Sequence, residues 1–593
     1  MTTMPIKILH PASLLHRMLF VGLLVMWSIA GALAQETGTV RVTIEIGGLS
    51  SELEENVLAQ LSLEREREHP LLDEYRIQRL HRQAPDEIRD ALQPFGFYSP
   101  VITSSLTQED GVWRARYEID PGEPVLIGNV QLSITGPGAP DTYFVQWQRN
   151  YPLRQGDILM QETYEEAKRQ LLRLARDKGY LNAQLLSHTI QVDVDKRIAN
   201  IEMHLETGPR FRYGEIRTTS TLLDDSLVQR YITIHSGDYY DADRLLEIQR
   251  HLADSDYFKR ADVIPAIDEA RDGYVPVDIK LEMRKRTRYS IGAGYATDTG
   301  PRGTLGMERR WLNDSGHRFS VDVIGSQVRT TVTARYRIPL EKPATDSFNI
   351  TSSWEEETLD NSYRRTVTAG LSQTRQLSYW QQTLGLSYQN EHYEIADTIG
   401  HSTLLIPSVR WQRLLADNRI IPTKGWRIAL GIKGASEGVV SDTSFLQVDL
   451  RGKLIVPALG GRFITRVDAG GSIVPQFQAL PISQRFFAGG DFSVRGYSYN
   501  SLGPVDASGE VVGGKYLLVG SGEYDHYFGK HFGVAAFYDA GNAIDFSHFN
   551  LYRGAGAGLR WRFPFGLLRI DGAKALDDSV DRWRLHISLG PDL

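Results

Sequence analysis

Arg495 stands in the run 486–497, FFAGGDFSVRGY, flanked by Gly489, Gly490, Val494, Gly496 and Tyr497. Glycines admit left-handed bends and let a backbone pass close to a wall. The run therefore reads as a tight loop offering one fixed positive charge between aromatic anchors. Further on, the run 531–541, HFGVAAFYDAG, alternates as a strand: Phe532, Val534, Ala536 and Tyr538 take one face, and Asp539 takes the other as a lone carboxylate. A guanidinium and a carboxylate can form a forked ion pair, which is the chemistry of a latch. Chemistry of turnover has no comparable signal, since GxSxG, HExxH and a Walker A loop are all missing and the chain has no cysteine. Gly554, Gly556 and Gly558 alternate with Ala555, Ala557 and Leu559 into Arg560, Trp561 and Arg562, which is a strand and not a dinucleotide loop. No catalytic residue, metal site or cofactor is expected. The chain reads as a non-enzyme.

The elements that must hold these residues are short strands. From Tyr289 onward, segments of about ten residues alternate between faces. Trp426, Ile428, Leu430 and Ile432 face one way, and Arg427 and Lys433 the other; Leu446, Val448 and Leu450 oppose Gln447, Asp449 and Arg451. A soluble sandwich has the same period. The leader helps to decide: Lys7 and Arg17 precede an apolar run from Met18 to Ala30, and Ala32, Leu33 and Ala34 form a cleavage pattern before Gln35. We therefore expect residues 1–34 to be a signal peptide and 286–593 to be a transmembrane antiparallel β-barrel of about 16 strands. Mean hydropathy of −0.30 with 54 glycines fits a barrel joined to a soluble region. The net charge of −7 lacks the basic surface that a phosphate backbone requires, so nucleic acid is not an expected partner.

The first half carries a degenerate repeat of about 80 residues. Ile88, Ala91, Leu92 and Phe95 precede Gly96, Phe97 and Tyr98; Ala167, Leu171 and Leu174 precede Gly179 and Tyr180; Leu245, Ile248 and Leu252 precede Asp256, Tyr257 and Phe258. Each copy reads β, α, α, β, β over 35–122, 123–207 and 208–285. Ser51 with Glu54 forms a candidate capping box for the first helix. The charged stretch 64–68 reads as a solvated face or loop, and Glu355, Glu356 and Glu357 as a solvated loop edge.

The loop V-R-G-Y, followed by Phe537, Asp539 and Gly541 as F-x-D-x-G, resembles the paired motifs of the outer-membrane barrel assembly superfamily, whose members carry POTRA domains. The three repeats resemble those domains. The resemblance implies that the loop folds into the barrel and that Arg495 meets Asp539, with Phe492 and Tyr497 as wedges. It also implies a lateral gate where the first strand (Tyr289, Ile291) meets the last (Ile587, Leu589, Gly590). Gly590 and Pro591 would shorten the ladder there. Three copies and the terminal strand resemble the translocation-and-assembly branch of the superfamily. That branch implies an outer-membrane location with periplasmic POTRA domains, unfolded outer-membrane protein clients such as autotransporters, and contact with outer-membrane lipid. It further implies a large inner-membrane-anchored partner and an accompanying route for lipid. A two-partner secretion transporter and a passive pore or receptor remain alternatives at this point.

Overall fold

The computed structural model describes residues 41–296, 299–359, 362–396, 398–418, 420–438, 440–545, 549–563, 566–577 and 583–590. The expected leader and Pro591 lie outside these. The chain divides into two compact units. One comprises the first two α+β repeats, and the other most of the third repeat together with the barrel.

In the first repeat, β1 (Arg41–Gly47) leads to helices α1 (Ser51–Gln60), α2 (Ser62–Glu66) and α3 (Glu74–Leu92), then to β2 (Val101–Glu109) and β3 (Val112–Asp120). The sheet order is β1-β3-β2, with β1 parallel to β3. Alternation makes β3 the core strand: Trp113, Ala115, Tyr117 and Ile119 are buried and face Ile77, Leu80, Ala84 and Ile88 of α3. Asp73 caps α3 by accepting a bond from the Arg76 N–H at 2.7 Å. The capping box expected at Ser51 is not formed. Gly48, at φ +87°, turns the chain early, Ser50 becomes the N-cap without a side-chain bond, and Glu54 falls one residue too late to reach back. The charged stretch 64–68 is partly helical, since α2 inserts Leu63 into the core.

The second repeat has β4 (Leu126–Thr135), α4 (Thr142–Arg149), α5 (Gln161–Asp177), β5 (Gln184–Asp193) and β6 (Ile198–Glu206). The third has β7 (Arg212–Thr218), α6 (Asp225–Gln229), α7 (Ala242–Asp254), β8 (Phe258–Pro265) and β9 (Tyr274–Met283). Both sheets repeat the order of the first. A left-handed residue follows within four positions of the end of each long helix: Gly96 and Gly179 at φ +90°, Asp256 at +60°. Gly96 O then accepts from Val125 N, and Gly179 O from Phe211 N, each at 2.8 Å.

Sixteen antiparallel strands follow, from β10 (Thr287–Ala296) to β25 (Trp583–Gly590), paired in sequence order. The expected strand number is thus found. Within this unit the third repeat seats on one mouth of the barrel. Tyr257 Oη donates to Gly316 O at 2.5 Å, Arg230 Nη1 to Leu340 O at 2.9 Å, and Arg310 Nε to Asp256 Oδ2 at 2.9 Å. Glu355, Glu356 and Glu357 are not a solvated edge. Arg364 bonds Glu355 at 2.6 Å and Glu357 at 2.9 Å, and Arg365 bonds Glu356 at 3.3 Å, across a hairpin whose register places them side by side.

Candidate functional site: an inward loop beside an unpaired seam

Residues 474–515 join β20 (Gly461–Ile473) to β21 (Tyr516–Phe528) and fold into the lumen. Three glycines make the path possible. Gly489, Gly490 and Gly496 sit at φ +100°, +102° and +100°, where side chains are strained. At Gly496 a Cβ would lie 2.8 Å from Ala575 N, so the loop backbone rests against the barrel wall. Gly554 has the complementary role, since any Cβ there would strike Arg495 O. On β22 (Phe532–Ile544), a Cβ at Gly541 would lie 2.7 Å from Leu518 O, so this glycine keeps β22 close to β21.

Arg495 forks onto Asp539 of β22, with Nε to Oδ2 at 2.7 Å and Nη2 to Oδ1 at 3.0 Å, while its own N–H donates to Oδ2 at 3.1 Å. Its Nη1 also donates to Glu523 Oε2 of β21 at 2.7 Å and to Asp571 Oδ2 of β24 (Gly566–Ala575) at 3.0 Å. The guanidinium carbon lies 3.4 Å from the Phe537 ring centroid, which gives the motif phenylalanine a cation–π contact. Asp539 is fully buried, and Arg495 is 6% exposed. Asp539 is therefore not a lone carboxylate in its surroundings, although it is the one on its strand face.

The cluster extends further. Arg560 of β23 (Tyr552–Phe563) donates to Glu523 Oε1 at 2.7 Å and to Asp571 Oδ1 at 2.5 Å, and Arg462 of β20 donates to Asp525 Oδ2 at 2.7 Å. Sequence reading missed these residues. Inward charges on strands were visible, but which of them become neighbours depends on strand register. Register sets Phe537 opposite Glu523 and Ser521 opposite Asp539, whose Oδ1 accepts from Ser521 Oγ at 2.6 Å.

The loop also grips the final strand. Gly496 N–H donates to His586 Nε2 at 3.0 Å, which leaves the ring proton on Nδ1, facing Asp491 Oδ1. Arg584 donates to Ser498 Oγ. Tyr497 is buried, donating to Arg553 O at 3.4 Å and accepting from Asp577 N at 3.3 Å; Val494 is fully buried beside it. Phe492 does not wedge the loop: it is 70% exposed, while its carbonyl accepts from Arg466. The other end of the loop reaches the opposite wall, where Ser483 N–H donates to Glu391 Oε1 at 3.2 Å, and is also held by nearer strands. Gln447 Nε2 donates to Gln484 O at 2.8 Å, and Lys433 Nζ to Gln484 Oε1 at 2.6 Å.

β24 pairs with β25 from Leu567–Gly590 to Lys574–Trp583, and β10 with β11 (Gly300–Arg309). Among the described residues no backbone ladder joins β10 to β25. Tyr289 is 78% and Ile291 86% exposed on this edge; Leu589 is half exposed and Gly590 ends the strand. The strands here have 8 to 10 residues, against 16 for β15 (Ser362–Leu377) and β16 (Trp380–Ile395) on the far side.

Residues 312–591 match the Omp85 superfamily domain, and residues 43–121 match the POTRA domain described as TamA domain 1. The barrel thus carries a region that matches the Omp85 superfamily domain, and the first repeat one that matches a POTRA domain. Curated relatives include the outer membrane protein assembly factor BamA of Nitratidesulfovibrio vulgaris (strain Hildenborough), 24% identical over 430 residues, or 68% of this chain and 54% of the relative. Another is BamA of Neorickettsia risticii (strain Illinois), 21% identical over 457 residues, or 72% of this chain and 60% of the relative. The chain spans little more than half the length of these relatives. The crystal structure of BamA from Haemophilus ducreyi lacking POTRA domains 1–3 has the same fold, with a TM-score of 0.60 at 16% identity, over 79% of this chain and 99% of that one.

Proposed function

We propose that this chain is an outer-membrane assembly factor of the TamA type. It inserts or secretes β-barrel clients, autotransporters among them, through the seam between β10 and β25. The observation that carries this reading is the pair of unpaired strand edges beside a loop that grips β25. Free backbone N–H and C=O groups on such edges are templates for an incoming strand. Tyr289, Ile291, Ile587, Leu589 and Gly590 form the two sides of the gate, and the Arg495–Asp539 latch sets how firmly the loop holds the last strand. Energy comes from the client's own folding.

In this reading the barrel sits in the outer membrane in contact with its lipid, and repeats at 35–122, 123–207 and 208–285 lie in the periplasm ahead of a barrel at 286–593. The TamA-type match of the first repeat supports a TamB-like, inner-membrane-anchored partner for these domains. The seam also offers lipid a path alongside that partner. A passive pore is disfavoured by the loop, which crosses the lumen and is tied to both walls, through Ser483 to Glu391 and through Arg495 to Asp571. A photo-crosslinker placed at Ile291 tests the reading. Capture of a client's terminal strand during assembly in proteoliposomes supports the gate, whereas capture only by lumen-facing positions such as Gly431 supports a channel.

A further inference from the structure

Beneath the third repeat, at the barrel mouth it covers, lies a cavity of about 1100 Å³ within one compact unit of the chain. Its wall carries Arg318 on β12 (Arg318–Ser326) and Arg335 and Arg337 on β13 (Arg329–Pro339); Arg250 on α7 stands across from them. Arg318 and Arg337 are direct cross-strand partners, and Arg335 is the next residue on the same face. Like charges directly opposite each other destabilise a sheet. Arg318 is partly committed, since it donates to Ser255 O, lies 4.2 Å over the Tyr257 ring and has Glu308 at 4.0 Å. Among the described residues, neither the Arg335 nor the Arg337 side chain has a hydrogen bond or an ion pair. Glu247 and Asp254 also line the cavity, but neither pairs with these arginines. Four guanidinium groups therefore face two carboxylates. Ser347 and Asn349 on the adjoining strand add neutral donors.

We infer that this cavity binds a phosphate-bearing anion. A tetrahedral phosphate accepts forked bonds from more than one guanidinium and offsets the repulsion of the Arg318–Arg337 pair. The volume exceeds that of the free ion, so it admits a phosphodiester with its glycerol, as in a lipid headgroup. None of the lining residues lies on β10 or β25, and the site does not depend on the gate reading.

The test uses the full-length protein in uncharged detergent, titrated calorimetrically with dihexanoylphosphatidylglycerol below its micelle concentration, with inorganic phosphate, and with a peptide whose only anion is its terminal carboxylate. Binding of the lipid is expected to weaken at least tenfold in the Arg335→Gln/Arg337→Gln double variant and by less in Arg337→Lys. Arg337-dependent binding of inorganic phosphate without the lipid would assign the same site to the free ion. Binding unchanged in the double variant, no binding of either phosphate probe, or binding of the carboxylate peptide alone would overturn the inference. Removing a repelled charge is also expected to leave the unliganded double variant melting at or above the wild type; a lower melting temperature would contradict the claim that these arginines lack a counter-ion. If the double variant does not fold, the single Arg335→Gln variant gives the same comparison.

Discussion

Arg495 serves three carboxylates, and that number governs what its replacement does. Asp539, Glu523 and Asp571 are all within 3.0 Å of its guanidinium nitrogens. Removing one partner of a buried ion pair costs about 3 to 5 kcal/mol, because the remaining charges are left without compensation. Arg495→Ala is therefore expected to loosen the loop by about that amount. The readout is maleimide labelling of a cysteine introduced at Val494, which is buried in the wild type and becomes reactive as the loop undocks; unchanged labelling would contradict the latch. The charge swap Arg495→Asp with Asp539→Arg is expected to give little rescue. The new aspartate would still face Glu523 and Asp571, as a two-residue pairing would not. The loop arginine and the strand aspartate were legible because one was the single cation and the other the single carboxylate of its run. Glu523, Asp571 and Arg560 were not, because register rather than residue type brings them together. The loop glycines were legible as bends and as points of close approach, but their counterpart on the wall was not: Gly554 reads as an ordinary strand residue until Arg495 O is seen against it.

At the scale of elements, β25 is held by two kinds of bond: its ladder to β24, and the loop contacts through His586 and Arg584. His586→Ala with Arg584→Ala removes only the second kind. This variant is expected to keep the barrel folded, seen as unchanged heat-modifiable migration, while hydrogen exchange at β25 amides rises; equal exchange would mean that the ladder alone sets seam stability. In the first repeat, α3 is joined to β3 by His81 Nδ1 and Tyr117 Oη at 2.8 Å. Burial lowers the pKa of His81 from its ordinary 6.5. The unfolded chain then binds the proton more readily, so stability rises with pH through this window and falls as pH drops below about 6.5. Protection of α3 amides, taken relative to the intrinsic exchange rate at each pH, is expected to be lower at pH 5.5 than at 7.5, and this difference is expected to shrink in His81→Gln. The repeat was legible through its helix-ending residues Gly96, Gly179 and Asp256, which share a left-handed backbone. The capping box was misplaced because a two-glycine turn shifted the helix start by one residue.

At the scale of the whole molecule, sixteen strands enclose a loop pinned to opposite walls, and among the described residues the one interval without a ladder falls where the strands are shortest. The barrel was legible from dyad alternation, because a wet lumen and an apolar exterior impose opposite preferences on successive residues. The seam itself follows from the meeting of distant chain ends, and no local pattern reports how many bonds form there. The function proposed for this seam is that it opens to admit a client strand. The most direct measurement replaces Ile291 and Ile587 with cysteine in this otherwise cysteine-free chain, with neighbouring pairs scanned for efficient closure. Protease-protected assembly of an autotransporter client in proteoliposomes is then compared before oxidation, after it, and after reduction. Oxidation is expected to abolish assembly and reduction to restore it; assembly that proceeds unchanged through a fully oxidised seam would show that clients do not pass there.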